Sequence, residues 1–113
     1  MKLTDNEIAY SLLSLMVQAD RKIDKSEALQ MVLSMKNLGF GMPSEEFNES
    51  NQFANAVERS QEWAQGQKEA MLKELVRVAK ADGEIAEAEV KLIILLGVSW
   101  GISADDMTSM LVS

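Results

Sequence analysis

Apolar residues recur at intervals of three and four along most of this chain, the repeat of an α-helix that buries one face. Residues 92–96 form a run that is apolar at every position, which predicts a helix in the middle of a bundle. The run alone would also suit a strand, but no other segment reads as a strand that could pair with it. The pattern therefore predicts an all-α fold. The clearest stripes lie at residues 8–16, 28–35, 53–57, 71–79 and 107–111.

Capping residues and glycines divide these stripes into separate helices. Thr4 and Glu7 form a capping box that starts the first helix. Gly39 stands where the end of the second helix needs a left-handed residue. Gly66 is expected to end or interrupt the helix of the polar middle segment. A short helical turn is expected at residues 44–47, just after the only proline.

The two halves of the chain share a sequence pattern. Residues 19–27 and 81–89 both follow Ala-Asp-x-x-Ile-x-x-x-Glu, and each segment lies between two predicted helices. The same offset aligns further apolar positions and the glycines Gly39 and Gly101. We therefore predict a single domain over residues 1–113, a compact all-α bundle from two pseudo-repeated helical hairpins. The repeat halves are expected at about 4–48 and 66–112, linked by a helix at about 51–64.

The composition excludes several classes of chemistry. The chain has no Cys and no His, which removes disulfides, the usual zinc sites and Ser-His-Asp triads. Its 18 acidic against 11 basic residues disfavour nucleic-acid binding. No apolar run approaches the ~20 residues that cross a bilayer, and the N-terminus lacks the apolar core of a signal peptide. We therefore expect a cytoplasmic protein without membrane insertion.

Acidic residues concentrate at the two Ala-Asp turns and suggest a cation site. Oxygen ligands of this kind are what Ca²⁺ or Mg²⁺ takes in proteins. An intact EF-hand loop is not expected, because Val78 and Lys80 stand at loop positions one and three, which require oxygen ligands. The candidate metal ligands are Asp82, Glu84, Glu87 and Glu89, joined by Asp20, Asp24 and Glu27.

The same acidic residues also have a structural interpretation, which stays open. Asp20 and Asp82 follow helix ends, where each can accept a hydrogen bond from the backbone of its own turn. Glu27 and Glu89 fall three residues into the next helix and can complete its N-terminal cap. The remaining carboxylates would then form a solvated acidic face.

The two tryptophans are candidate anchors for a partner. Trp63 lies in a polar stretch and is the candidate partner-binding residue. Trp100 follows the apolar run and is expected in the core instead.

The second turn also carries a family likeness. Residues 78–85, Val-Ala-Lys-Ala-Asp-Gly-Glu-Ile, with Glu89, resemble the TerB-like family of tellurite-resistance proteins, whose module also occurs in DjlA-type J-domain cochaperones. A weaker copy lies at residues 17–20 with Ile23 and Glu27. The likeness covers the chain from about residue 4 to 111. One departure is that Arg21-Lys22 stands in the first copy where the second has Gly83-Glu84.

The resemblance implies an all-α fold, a compact bundle of about seven helices with pseudo-twofold character. It also implies a cytoplasmic bacterial protein tied to tellurite or general chemical stress, acting in complexes at the inner face of the membrane. It implies acidic surface residues that bind metal, and it implies no enzyme. We therefore expect a non-enzymatic helical interaction module that acts through its acidic turn face on a partner protein or a divalent cation such as Ca²⁺ or Mg²⁺. Whether the protein forms a homodimer is left open by the sequence. The alternatives are a carboxylate-based metal-binding protein and a metal-dependent hydrolase.

Overall fold

The computed structural model describes residues 2–19 and 25–112, and every regular element in these ranges is helical. This confirms the all-α prediction for the described part of the chain. That part holds six α-helices and one 3-10 turn, where about seven helices were predicted. The elements are α1 (Asp5–Gln18), α2 (Lys25–Asn37), the 3-10 turn Glu49–Asn51, α3 (Phe53–Ser60), α4 (Gln65–Lys80), α5 (Glu87–Ser99) and α6 (Ala104–Val112).

Helices α1 and α4 form the centre of the bundle. Helix α1 packs on α2, α3 and α4, and α4 also contacts α2, α5 and α6. The predicted stripes of both helices face this core, because Leu12 and Met16 on α1 and Met71 and Leu75 on α4 are fully buried. The radius of gyration is 12.9 Å, close to the ~13 Å expected for a compact chain of this length.

The predicted helix ends are largely confirmed. Thr4 Oγ1 accepts from the Glu7 amide at 3.3 Å, and Glu7 Oε1 accepts from the Thr4 amide at 2.9 Å. Gly39 has a φ of 79°, which a side chain would disfavour, and the following amide donates back to the Met35 carbonyl at 2.9 Å. Gly101 ends α5 in the same way, with a φ of 73°.

One local prediction was wrong. Gly66 does not end a helix, because α3 stops at Ser60 and Gly66 lies in the first turn of α4. Glycine is tolerated there because the first turn lacks intrahelical partners for its N–H groups in any case. At residues 44–47, where a short helical turn was predicted, the chain forms a single hydrogen-bonded turn, with Phe47 N–H donating to the Ser44 carbonyl at 3.0 Å.

The two-hairpin repeat is not confirmed. The helix ends at Gly39 and Gly101 match, but the second helix of each half packs differently. Helix α2 lies against both α1 and α4, whereas α5 packs mainly on α4 and α6. Residues 20–24, which contain the first Asp turn, lie outside the described residues. None of the described helices has the length and apolar character needed to cross a bilayer.

Candidate functional site

The acidic turn, defined as residues 82–87, joins α4 to α5. Helix α4 ends at Lys80, whose carbonyl accepts from the Gly83 amide at 2.9 Å. Asp82 Oδ1 accepts from the Glu84 amide at 3.0 Å, so this carboxylate stabilises the turn that contains it. The hydrogen bond predicted by the structural interpretation of Asp82 is therefore present, and the role of Asp82 as a cation ligand stays a prediction.

Glu89 is buried at the start of α5, with only 2% of its surface exposed. Its Oε1 accepts from the Ala86 amide at 2.9 Å. Since Ala86 has no side-chain oxygen to return the bond, this is one half of a capping box. The second oxygen, Oε2, is buried with no hydrogen-bond partner among the described residues. Glu27, at the matching position of α2, is equally buried.

The remaining candidate ligands do not gather around Glu89. Glu84 and Glu87 are exposed, and Glu87 pairs with Lys91 at 3.2 Å, an exposed contact that contributes little stability. Within residues 2–19 and 25–112, no three acidic side chains come together as metal ligands. Asp20 and Asp24 lie outside these ranges. The cation site therefore stays a prediction.

Trp63 is held by contacts within the chain. Its Nε1 donates to Asp5 Oδ1 at 3.0 Å, and its ring lies against that of Trp100, with 6.5 Å between ring centroids. Trp100 is buried, as predicted, and its Nε1 donates to Ser60 Oγ at 2.9 Å. Trp63 is half-buried, so it ties the start of α1 to the end of α5. Its role in partner binding stays a prediction.

Helix α5 carries an apolar surface that the sequence reasoning placed in the core. Ile93 and Leu96 are buried, but Ile94, Leu95 and Val98 are 42%, 68% and 63% exposed. The prediction that residues 92–96 lie in the middle of the bundle was therefore wrong. A helix that is apolar all round exposes apolar side chains wherever neighbours cover only one side, and α5 packs mainly on α4 and α6. We call Ile94, Leu95 and Val98 the α5 apolar face.

Helix α2 shows a second surface of the same kind. Leu29, Val32 and Leu33 are exposed, while Met31 and Met35 face the core. We call Leu29, Val32 and Leu33 the α2 apolar face. The alignment of the two halves pairs residues 32–33 with 94–95, so the two faces occupy matching positions in the sequence, but the alignment does not show that either face is exposed.

The fold and these surfaces define a small helical bundle with exposed apolar helix faces, a class whose fold does not by itself decide the function. The comparisons add no relative: no protein-family model, no curated protein and no solved structure matches the chain. The likeness to the TerB-like family therefore rests on the sequence of the second turn and its weaker copy in the first half alone.

Proposed function

We propose that this chain is a non-enzymatic helical interaction module of the TerB type, which binds a partner protein through the α5 apolar face and the adjoining acidic turn. The observation that carries the proposal is the exposure of Ile94, Leu95 and Val98 on one side of one helix. Apolar side chains scattered singly over a surface are ordinary, whereas a contiguous group of them marks an interaction site. The role in tellurite or chemical stress rests on the family resemblance alone.

The charge next to this face indicates the partner. Asp82, Glu84 and Glu87 lie at the N-terminal end of α5, and among the described residues only Glu87 of these three forms an ion pair, with Lys91. A partner that covers the α5 apolar face would therefore meet negative charge at that end. A basic amphipathic helix supplies both requirements, since its apolar side covers the face and its lysines or arginines meet the acidic turn.

A divalent-cation site at the acidic turn is the alternative, and one observation favours it. Glu89 Oε2 is buried without a hydrogen-bond partner among the described residues, and its carboxylate contacts the turn through Ala86. A hard cation needs several further oxygen ligands, and the described residues do not bring them together. We therefore derive no binding step and no reaction from a cation.

The proposal is tested by comparing the two apolar faces. Leu95→Gln with Val98→Gln changes the α5 apolar face, and Leu29→Gln with Leu33→Gln changes the α2 apolar face to a similar extent. Because all four side chains are exposed, both double variants are expected to melt within a few degrees of the parent. The probe is a synthetic amphipathic helix with lysine on its polar side, compared with the same helix carrying glutamate.

We expect the lysine helix to bind the parent protein and the α2 variant, and to bind the α5 variant at least tenfold more weakly. Equal binding of the lysine and glutamate helices would contradict the role of the acidic turn. Sedimentation of the protein alone tests the homodimer. Concentration-dependent association that only the α5 variant abolishes would show that a second copy, in place of a basic partner, covers this face.

A further inference from the structure

A groove runs along α4 between α6 and the end of α2, and it shares no wall residue with the acidic turn or the α5 apolar face. It consists of two adjoining cavities of about 460 and 380 Å³, which share Lys73, Ser109 and Met110 in their walls. Each volume falls within the range of small-molecule sites, about 300–1,000 Å³. We call this feature the α4–α6 groove.

The smaller cavity is basic although the chain as a whole is acidic. Lys73, Arg77 and Lys80 stand four and three residues apart on α4, so they share one side of that helix. Among the described residues, the lining of this cavity includes no carboxylate. Three of the 11 basic residues are thus concentrated at one cavity of a chain with net charge −7.

Two of these cations are already positioned by the protein. The Arg77 guanidinium pairs with the buried carboxylate of Glu74, which takes up only part of its five N–H donors. Lys80 Nζ donates to the Met110 carbonyl at 3.4 Å, and this contact bridges α4 to the C-terminal part of α6. A cation is favoured there because the last carbonyls of a helix carry partial negative charge.

The walls between the charged ends are apolar. Val76 and Met110 line the smaller cavity, and the methylene stems of Lys73 and Arg77 can cover apolar surface while their charged ends stay in water. Such a site places positively charged hydrogen-bond donors next to an apolar surface. It therefore fits a ligand with an anionic end and an apolar chain.

The larger cavity limits what can extend along the groove. Glu69, Glu74 and Asp106 are among the residues that line it. These carboxylates would repel a ligand that carries several negative charges along its length. An uncharged alkyl chain could instead lie beside Ala70 and Leu38 in the same cavity. The charge distribution thus favours a short ligand with a single anionic end, directed toward Arg77 and Lys80.

We propose that the α4–α6 groove binds a free alkyl carboxylate, with its carboxylate at Lys73, Arg77 and Lys80 and its alkyl chain against Val76 and Met110. No residue of this site belongs to the surface assigned to the protein partner, although Lys80 lies two residues before Asp82. Binding at one surface can therefore be measured in variants of the other.

Decanoate is the probe, titrated into the ¹⁵N-labelled full chain below the concentration at which it forms micelles. We expect saturable amide shifts at Val76, Arg77 and Met110. Decyltrimethylammonium, which has the same chain and the opposite charge, is expected to cause no saturable shift there. Equal shifts with both amphiphiles would overturn the proposal, because they would show apolar contact alone.

Matched variants locate the site. Lys73→Gln with Lys80→Gln should raise the Kd for decanoate at least tenfold, whereas Lys36→Gln with Lys91→Gln removes the same charge elsewhere and should leave it within twofold. Ser109→Trp, at an exposed position in the wall, should block binding without changing charge. Thermal melts confirm that each variant is folded.

Three results would overturn the proposal. One is an equal loss of affinity for decanoate in the two double lysine variants, which would indicate attraction by the overall charge of the protein. Another is unchanged affinity in Ser109→Trp. The third is binding to vesicles of phosphatidylglycerol without any saturable decanoate shift, which would assign the basic surface to a bilayer in place of a free carboxylate.

Discussion

The side chain of Met107 on α6 fills the space that a Cβ at Gly97 on α5 would occupy. The Met107 sulfur and Cγ are the nearest atoms to that position, and Leu72 of α4 closes it from another side. The missing side chain at Gly97 therefore leaves the space into which Met107 packs when α6 contacts α5. Met107 is also the one buried side chain that α6 contributes among the described residues.

Gly97→Ala is expected to lower the free energy of unfolding by about 1–2 kcal/mol. Overpacking a close contact costs about 1–3 kcal/mol, and the better helix propensity of Ala returns up to about 1 kcal/mol. Thermal or urea unfolding measures the difference. In a Met107→Ala background the contact is gone, so the same substitution is expected to become neutral or stabilising.

Gly66→Ala is the matched control for this prediction. Gly66 also lies in a helix, but an added Cβ there meets no atom within 4 Å. The control should raise the free energy of unfolding by up to about 1 kcal/mol. If Gly97→Ala raised the free energy of unfolding as Gly66→Ala is expected to do, the close packing of Met107 against Gly97 would be contradicted.

Ser60→Ala is expected to lower the free energy of unfolding by about 1–3 kcal/mol. Ser60 is fully buried, and its hydroxyl is the acceptor for Trp100 Nε1. Removing it leaves a buried indole N–H without a partner, which costs more than an average hydrogen bond is worth. Ser99→Ala, at an exposed position on α5, is the control and should shift the unfolding midpoint little. A loss in Ser60→Ala no larger than in Ser99→Ala would refute this role.

The periodicity of the sequence predicted the helices because each one buries a stripe at helical spacing. The same periodicity could not show which side of an all-apolar helix is covered. Residues 92–96 satisfy any burial pattern, and only the packing of α5 on α4 and α6 reveals that Leu95 is open. The hydropathy of a residue shows that burial would be favourable. Whether the side chain is buried also depends on how many other helices pack around its own helix.

The candidate sites also differ in whether the sequence could predict them. The hydrogen bond of Asp82 to its own turn was predictable, because it joins residues two positions apart. The α4–α6 groove was not, because Lys73, Arg77 and Lys80 meet Met110 from a helix some thirty residues later. Contacts between distant segments depend on tertiary packing, which a local pattern does not encode.

Asp82→Ala distinguishes a turn residue from a cation ligand. If Asp82 only holds the turn, its loss should lower the free energy of unfolding by about 1 kcal/mol, the net value of one hydrogen bond. Asp82→Asn keeps an acceptor oxygen and should retain most of the stability. Melts with and without Ca²⁺, Mg²⁺ or Mn²⁺ complete the test. A cation-dependent rise in melting temperature that vanishes in Asp82→Ala would instead assign Asp82 as a ligand.

Tyr10 is expected to lose its proton only above the ordinary tyrosine pKa of 10.0. Burial raises the pKa of Tyr10, and the negative charge of Glu49 raises it further. The ring is half-buried and lies edge-on against Phe47, with 6.5 Å between centroids. Tyr10 is the only tyrosine, so the alkaline absorbance change of tyrosinate reports on this residue alone.

The same shift predicts how stability depends on pH. Because the folded pKa exceeds the unfolded one, the Tyr10 contribution is fully present below pH 10 and is lost as the pH rises through the folded pKa. Tyr10→Phe should remove this dependence. Glu49→Gln should lower the tyrosinate midpoint only part of the way toward 10, because burial is the larger cause. A midpoint at or below 10 in the parent protein would contradict the rise in the Tyr10 pKa that burial and Glu49 are expected to cause.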